Sequence, residues 1–273
     1  MTFSEKLEAI IKKNNSLVCV GLDPEFEKLP EHIKQKDNPQ FEFNKSIIDV
    51  TNDLACAYKP NPAFYESRGD IGVRELKMTC DYIHDQYTGI PVIIDAKRGD
   101  IGNTNNEYAK YVFDYLGGDG ITVMPYMGIE SLSAYFDYKD KGIIVGCHSS
   151  NPGAKEFQEL SMDGKALYEI VAAELVKQHG DNPNTMIFMG ATFPSQLTEI
   201  RKIIGDMTIL VPGVGAQGGS VEEFVKSGMN SKKTGLIINA SRSIIFASTG
   251  QDFADKARIE TEKLKEEINK FRN

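Results

Sequence analysis

Short apolar runs, rich in β-branched residues, recur along the whole chain at 17–22, 54–59, 92–97, 120–124, 143–147, 186–190, 208–211 and 236–239. Their apolar character is nearly continuous, the pattern of parallel strands covered on both faces rather than of a sheet with one wet side. Segments with helical spacing lie between them, such as Val73, Leu76, Lys77, Cys80 and Ile83, and then Leu167, Ile170, Val171 and Leu175. The order is therefore βα repeated, with no composition break to mark a linker. Eight such units, joined by right-handed crossovers, predict an α/β protein built as a closed (β/α)8 TIM barrel, one domain over 1–273; an open doubly wound sheet is the alternative. Two amphipathic helices flank the repeat. Thr2 and Glu5 have capping-box spacing ahead of Leu7, Ile10 and Ile11, and Ala257, Thr261, Leu264, Ile268 and Phe271 form one stripe near the other end; both read as structural cover. The stretches 24–44 and 151–165 are long for connections and predict excursions at one rim.

Composition narrows the functional classes. The 273 residues carry a formal charge of −8, which argues against a nucleic-acid surface. No segment approaches the ~18 consecutive apolar residues of a membrane span, and Cys19, Cys56, Cys80 and Cys147 have no CxxC spacing. A cytoplasmic protein with no membrane anchor and buried free thiols is the expectation. His32, His84, His148 and His179 lack metal-site spacing, so no metal site is predicted; His148 either lines a pocket or serves local structure.

The chemistry lies where the apolar runs end. In a barrel the C-terminal strand ends converge on one face, so groups remote in sequence meet there. The third run ends Asp95-Ala96-Lys97-Arg98-Gly99-Asp100, and the second ends Tyr58-Lys59-Pro60-Asn61. The i, i+2 spacing puts Asp95 and Lys97 on one face, with Asp100 following and Lys59 supplied by the neighbouring strand. Alternating charges so placed hold each other ionised, each pair worth on the order of 4 kcal/mol in gross Coulomb terms before desolvation. A surface ion-pair cluster is the bland reading of such a string; its place after a buried run argues against it. The seventh run opens into the glycine-rich stretch 212–219, with Gln217, ahead of a helix expected at 220–226, and the eighth is followed by Arg242. Backbone N–H groups, a helix dipole and a guanidinium there suit a phosphate.

The runs GLDP (21–24), KPN-AFYE (59–66), DAKRGDIGNT (95–104), PYMG (125–128), SNPGA (150–154), GAT (190–192), PGVGAQGG (212–219) and NASRSI (239–244) together resemble the orotidine 5′-phosphate decarboxylase family, in particular its longer bacterial subgroup. The resemblance spans the first strand to the eighth. It implies a homodimeric TIM barrel that converts orotidine 5′-phosphate to UMP and CO2 in pyrimidine biosynthesis with no cofactor. Lys59, Asp95, Lys97 and Asp100 would be the catalytic array and Lys97 the proton donor. Asp23 would bind the ribose, Ser150 the pyrimidine, and Gln217 and Arg242 the phosphate, with Asn61 a further substrate-binding position. Asp100 and Thr104 would reach into the partner's site. Two rivals stay open. A magnesium-dependent sugar-phosphate decarboxylase or aldolase would need a metal-binding carboxylate near the second strand's end, where Tyr58-Lys59-Pro60 stands. A non-catalytic phosphate-ligand barrel gains little from so many buried charges.

Overall fold

The computed structural model describes residues 1–190, 194–213 and 221–272. Within them, eight strands form one parallel sheet: β1 (Val18–Leu22), β2 (Ala57–Pro60), β3 (Ile93–Arg98), β4 (Gly120–Val123), β5 (Gly142–His148), β6 (Thr185–Met189), β7 (Ile209–Pro212) and β8 (Leu236–Ala240). Each coincides, to within a few residues at its ends, with an apolar run of the sequence. Neighbours follow chain order from β1 to β8, and β1 pairs with both β2 and β8. A parallel bridge from Tyr58 to Val92, with Tyr58 N–H donating to Pro91 O at 3.0 Å, brings β2 against β3 and closes the ring. The chain is thus an α/β TIM barrel, not an open sheet.

Nearly every strand residue is buried, because helices cover the outside while side chains fill the interior. Alternation sorts the two faces. The Tyr58 hydroxyl reaches outward to Thr51 Oγ1 (2.9 Å) and Ile48 O (3.2 Å) on the helix Pro39–Thr51, so Lys59, next along β2, turns inward. In the helix Gly69–Gln86, Leu76, Cys80 and Ile83 are buried as the spacing predicts. In the helix Leu167–His179 the buried stripe is instead Tyr168, Ala172 and Leu175. The sequence stripe was rotated by about one residue, because Tyr168 packs edge-on against His148 and draws that face inward.

The N-terminal helix, Phe3–Asn14, forms the predicted capping box: Glu5 N–H donates to Thr2 Oγ1 (3.4 Å) and Thr2 N–H to Glu5 Oε2 (2.8 Å). It covers the end of the barrel at which the strands begin. Phe3, Leu7, Ile10 and Ile11 are buried there, and Lys6 Nζ lies 2.9 Å from Asp119, just ahead of β4. The C-terminal helix, Phe253–Lys270, buries Ala257, Thr261 and Ile268. The long connections carry short turns of helix (Phe26–Lys28, Glu31–Lys34, Ala154–Phe157) and a small hairpin pairing Ser161–Met162 with Lys165–Ala166.

Asp119 ties this base together. It accepts from Lys6, from His84 Nε2 at 3.1 Å and from Val92 N–H at 2.8 Å. Burial opposes its ionisation, but these donors prevail and hold its carboxyl at about 2 against an ordinary 3.8. A depressed carboxyl stabilises the fold fully above its unfolded value and loses that contribution as pH falls through the folded one. Asp119→Asn is therefore expected to cost about 2 kcal/mol at neutral pH, with the deficit vanishing between about pH 4 and pH 2. Urea titrations of both proteins across that range check it.

Candidate active site

Three charged residues meet at the end of the barrel where the strands finish. Lys59 Nζ stands 2.7 Å from Asp95 Oδ2, and Lys97 Nζ 2.6 Å from Asp95 Oδ1. The side chains of Lys59 and Asp95 are only 3% and 9% exposed, whereas that of Lys97 is 48% exposed. Burial works against both charges of the inner pair. For Asp95, Lys59 and then Lys97 outweigh it and keep the carboxyl well below its ordinary value. For Lys59, Asp95 and then Asp23 outweigh it and hold the ammonium above its ordinary value. The site therefore presents a fixed carboxylate flanked by two cations, one sealed in the barrel and one reaching its surface.

Asp95 and Lys97 do meet, as their spacing predicts, but not through a regular strand. In the β3–β4 pairing Ile94 faces Ile121 and Arg98 faces Val123, so Asp95, Ala96 and Lys97 stand against Thr122 alone. This is a bulge, and within it Lys97 takes a left-handed backbone with φ of 46°. Thr122, which the sequence reading passed over, fills the gap. Its hydroxyl donates to Asp95 Oδ1 at 2.8 Å and accepts from Lys97 N–H at 3.0 Å. A lone polar residue inside the apolar run 120–124 was the available signal. The Phe188 ring of β6 also flanks the array, its centroid 5.7 Å from Lys97 Nζ.

The other candidates surround these groups. Asp23 follows β1, and its Oδ1 accepts from Asn61 N–H at 3.1 Å, which joins the ends of β1 and β2. The Asn61 side chain is engaged locally, accepting from Ala63 N–H at 3.0 Å. Ser150 is half-buried after β5, and a Cβ at Gly190 would lie 2.7 Å from the Ser150 Cβ, so only glycine lets the ends of β5 and β6 approach so closely. The same holds for Gly21, where an added Cβ would meet the Ser241 Cβ at 2.6 Å; this lets the end of β8, and Arg242 with it, close against β1. Arg242 is exposed at the first residue of the short helix Arg242–Ile245. Gln217 and the glycine-rich stretch from 214 lie outside the described residues; the helix after them runs Val221–Gly228.

Among the described residues, neither Asp100 nor Thr104 is hydrogen-bonded or ion-paired to the array. Asp100 makes no ion pair among the described residues, its Oδ1 accepting only the next N–H, that of Ile101, at 2.8 Å. Thr104 is exposed on the helix Gly102–Ala109. Asn105 fixes this turn, accepting from Asp100 N–H and donating to Ser131 O. His148 is buried at the end of β5 with Nε2 3.2 Å from Glu159 Oε1, which ties β5 to the 151–165 excursion. Among the described residues no cluster of His, Cys, Asp and Glu is placed to hold a metal ion, and no helix is long and apolar enough to cross a membrane.

A family model described as orotidine 5′-phosphate decarboxylase / HUMPS family matches residues 16–257. The orotidine 5′-phosphate decarboxylase of Cupriavidus metallidurans is 45% identical over 273 residues, all of both chains, and that of Ralstonia pickettii is 44% identical over the same span. Among solved structures, the OMP decarboxylase of Leishmania donovani superposes with a TM-score of 0.86 at 34% identity, covering 100% of this chain and 99% of that one.

Proposed function

The chain belongs to the orotidine 5′-phosphate decarboxylase / HUMPS family, and from that premise we propose that it is a carboxy-lyase converting orotidine 5′-phosphate to UMP and CO2 without metal or organic cofactor. The observation that carries this reading is the Asp95 carboxylate held between Lys59 and Lys97 at 2.7 and 2.6 Å. Loss of CO2 breaks the bond from C6 to the carboxyl carbon and leaves its electron pair on a ring carbon with no conjugative sink. That charge must be met by a fixed positive field. Lys97 supplies the field and then the proton: its Nζ–H passes to C6 as the carbanion forms, leaving a neutral amine and UMP. Lys59, sealed behind Asp95, keeps the carboxylate ionised and aimed.

Asp23 takes the ribose, with Asn61 beside it, and Ser150 takes the pyrimidine. Arg242 and Gln217 take the phosphate, so that binding energy far from the reacting carbon holds the carboxyl against the array. The active unit is a homodimer in which Asp100 and Thr104 complete the partner's site; the exposure of Thr104, and the lack of an ion pair at Asp100 among the described residues, support this. Cytoplasmic pyrimidine synthesis is the setting that fits. The test is to incubate the protein with orotidine 5′-phosphate in the presence of a chelator and follow the fall in its ultraviolet absorbance. Rapid loss is expected, with the phosphate-free nucleoside turned over at least about 1,000-fold less efficiently, since a charged grip worth several kcal/mol is missing. No turnover of orotidylate, or activity confined to a sugar phosphate with magnesium, would overturn the reading.

A further inference from the structure

We propose that Thr122 is a positioning residue for the decarboxylation, its hydroxyl fixing the Asp95 carboxylate and the Lys97 backbone in one geometry from across the β3 bulge. The inference rests on the function proposed above and goes beyond it in assigning a part to a residue that touches neither reacting carbon nor phosphate.

The bulge creates the need. A regular parallel ladder would give alternate N–H groups of β3 a carbonyl on β4, but three residues of β3 face one of β4 here. Lys97 N–H is left without a backbone acceptor, and the Thr122 hydroxyl takes the place of one at 3.0 Å. The ladder resumes beyond, where Met124 N–H donates to Arg98 O at 2.7 Å. Having accepted from Lys97, the hydroxyl turns its own proton to Asp95 Oδ1 at 2.8 Å, on the same oxygen that holds Lys97 Nζ. One side chain thus fixes both ends of the Lys97–Asp95 contact. Thr122 is 1% exposed and β-branched, so its rotamer is held by packing and the hydroxyl has little freedom to wander. The left-handed backbone at Lys97, unfavourable for any residue with a Cβ, is kept by this bond.

Thr122→Val keeps the shape and deletes the hydroxyl; Thr122→Ser keeps the hydroxyl. Steady-state kinetics with orotidine 5′-phosphate should give a kcat about 10- to 100-fold lower for the valine variant, the loss of hydrogen bonds to a charged group and a buried amide. UMP affinity should stay within about threefold of the parent, and the serine variant should recover kcat to within about threefold. A merely structural part would instead lower kcat, UMP affinity and melting temperature together, without rescue by serine. Unchanged kcat in the valine variant, or equal losses in both variants, would overturn the proposal. Should the valine variant not fold, Thr122→Ala gives the same comparison. A crystal structure of the variant lacking the hydroxyl gives a reading independent of the substrate: the Lys97 Nζ to Asp95 Oδ1 separation should open beyond about 4 Å. A contact kept at its parent length overturns the inference, whereas an inactive parent protein would count against the proposed reaction alone.

Discussion

Lys97→Ala is expected to lower kcat on orotidine 5′-phosphate by at least about 10,000-fold while the protein stays folded and still binds UMP, because the proposed mechanism draws both the proton and the nearest positive charge from this one group. The two effects separate by position. Lys97 is half exposed and its ion pair is shared with solvent, so its removal should change stability by less than about 1 kcal/mol. Lys59 remains to hold Asp95 ionised, and the proposed phosphate contacts are untouched. Single-turnover decarboxylation alongside a UMP titration checks both halves. Near-normal turnover would remove Lys97 from the role of donor.

Asp95→Asn should strike folding and chemistry together. The carboxylate is the principal counterion of an ammonium that is 3% exposed, and an amide there leaves that charge buried with chiefly Asp23 to offset it. Breaking a buried pair from one side costs about 3–5 kcal/mol, and turnover should fall at least about 100-fold as Lys97 loses its anchor. The pH dependence identifies the cause. In the parent, Lys59 is held above its ordinary 10.5, so its contribution is fully present below that value and is lost as pH rises through the folded one. Asp95 contributes fully above its ordinary 3.8 and loses its share as pH falls. In the variant, burial draws Lys59 downward, so the unfolded chain binds the extra proton and stability should rise with pH toward 10.5. A deficit independent of pH between 7 and 10 would contradict this account.

The barrel was legible because its signal is redundant: eight apolar runs with helical spacing between them leave the crossover rules few other solutions, and all eight became strands. Three of the four predicted charges, Lys59, Asp95 and Lys97, were legible as neighbours because residues 59 and 95, 36 apart in sequence, end on adjacent strands; Asp100 does not join them in this chain. What could not be read was local and three-dimensional. Strict alternation gave the right neighbours at Asp95 and Lys97 for an incomplete reason, because nothing in DAKRGD announces a bulge. Thr122 became visible only once β4 was laid against that bulge. The rotated stripe of Leu167–His179 depended on where His148 placed its ring. Asn61, expected only as a substrate-binding position, gives its backbone N–H to Asp23 while its side chain holds the following turn.

The unequal burial of the two lysines bears on how the protein resets itself. An amine that has given up its proton must regain one before the next cycle. Locked in the interior, it would need a relay of side chains to bring it. In the mechanism proposed above, the Lys97 side chain, 48% exposed, takes that proton from bulk water once product has gone. Recharging then requires no wire of side chains through the barrel.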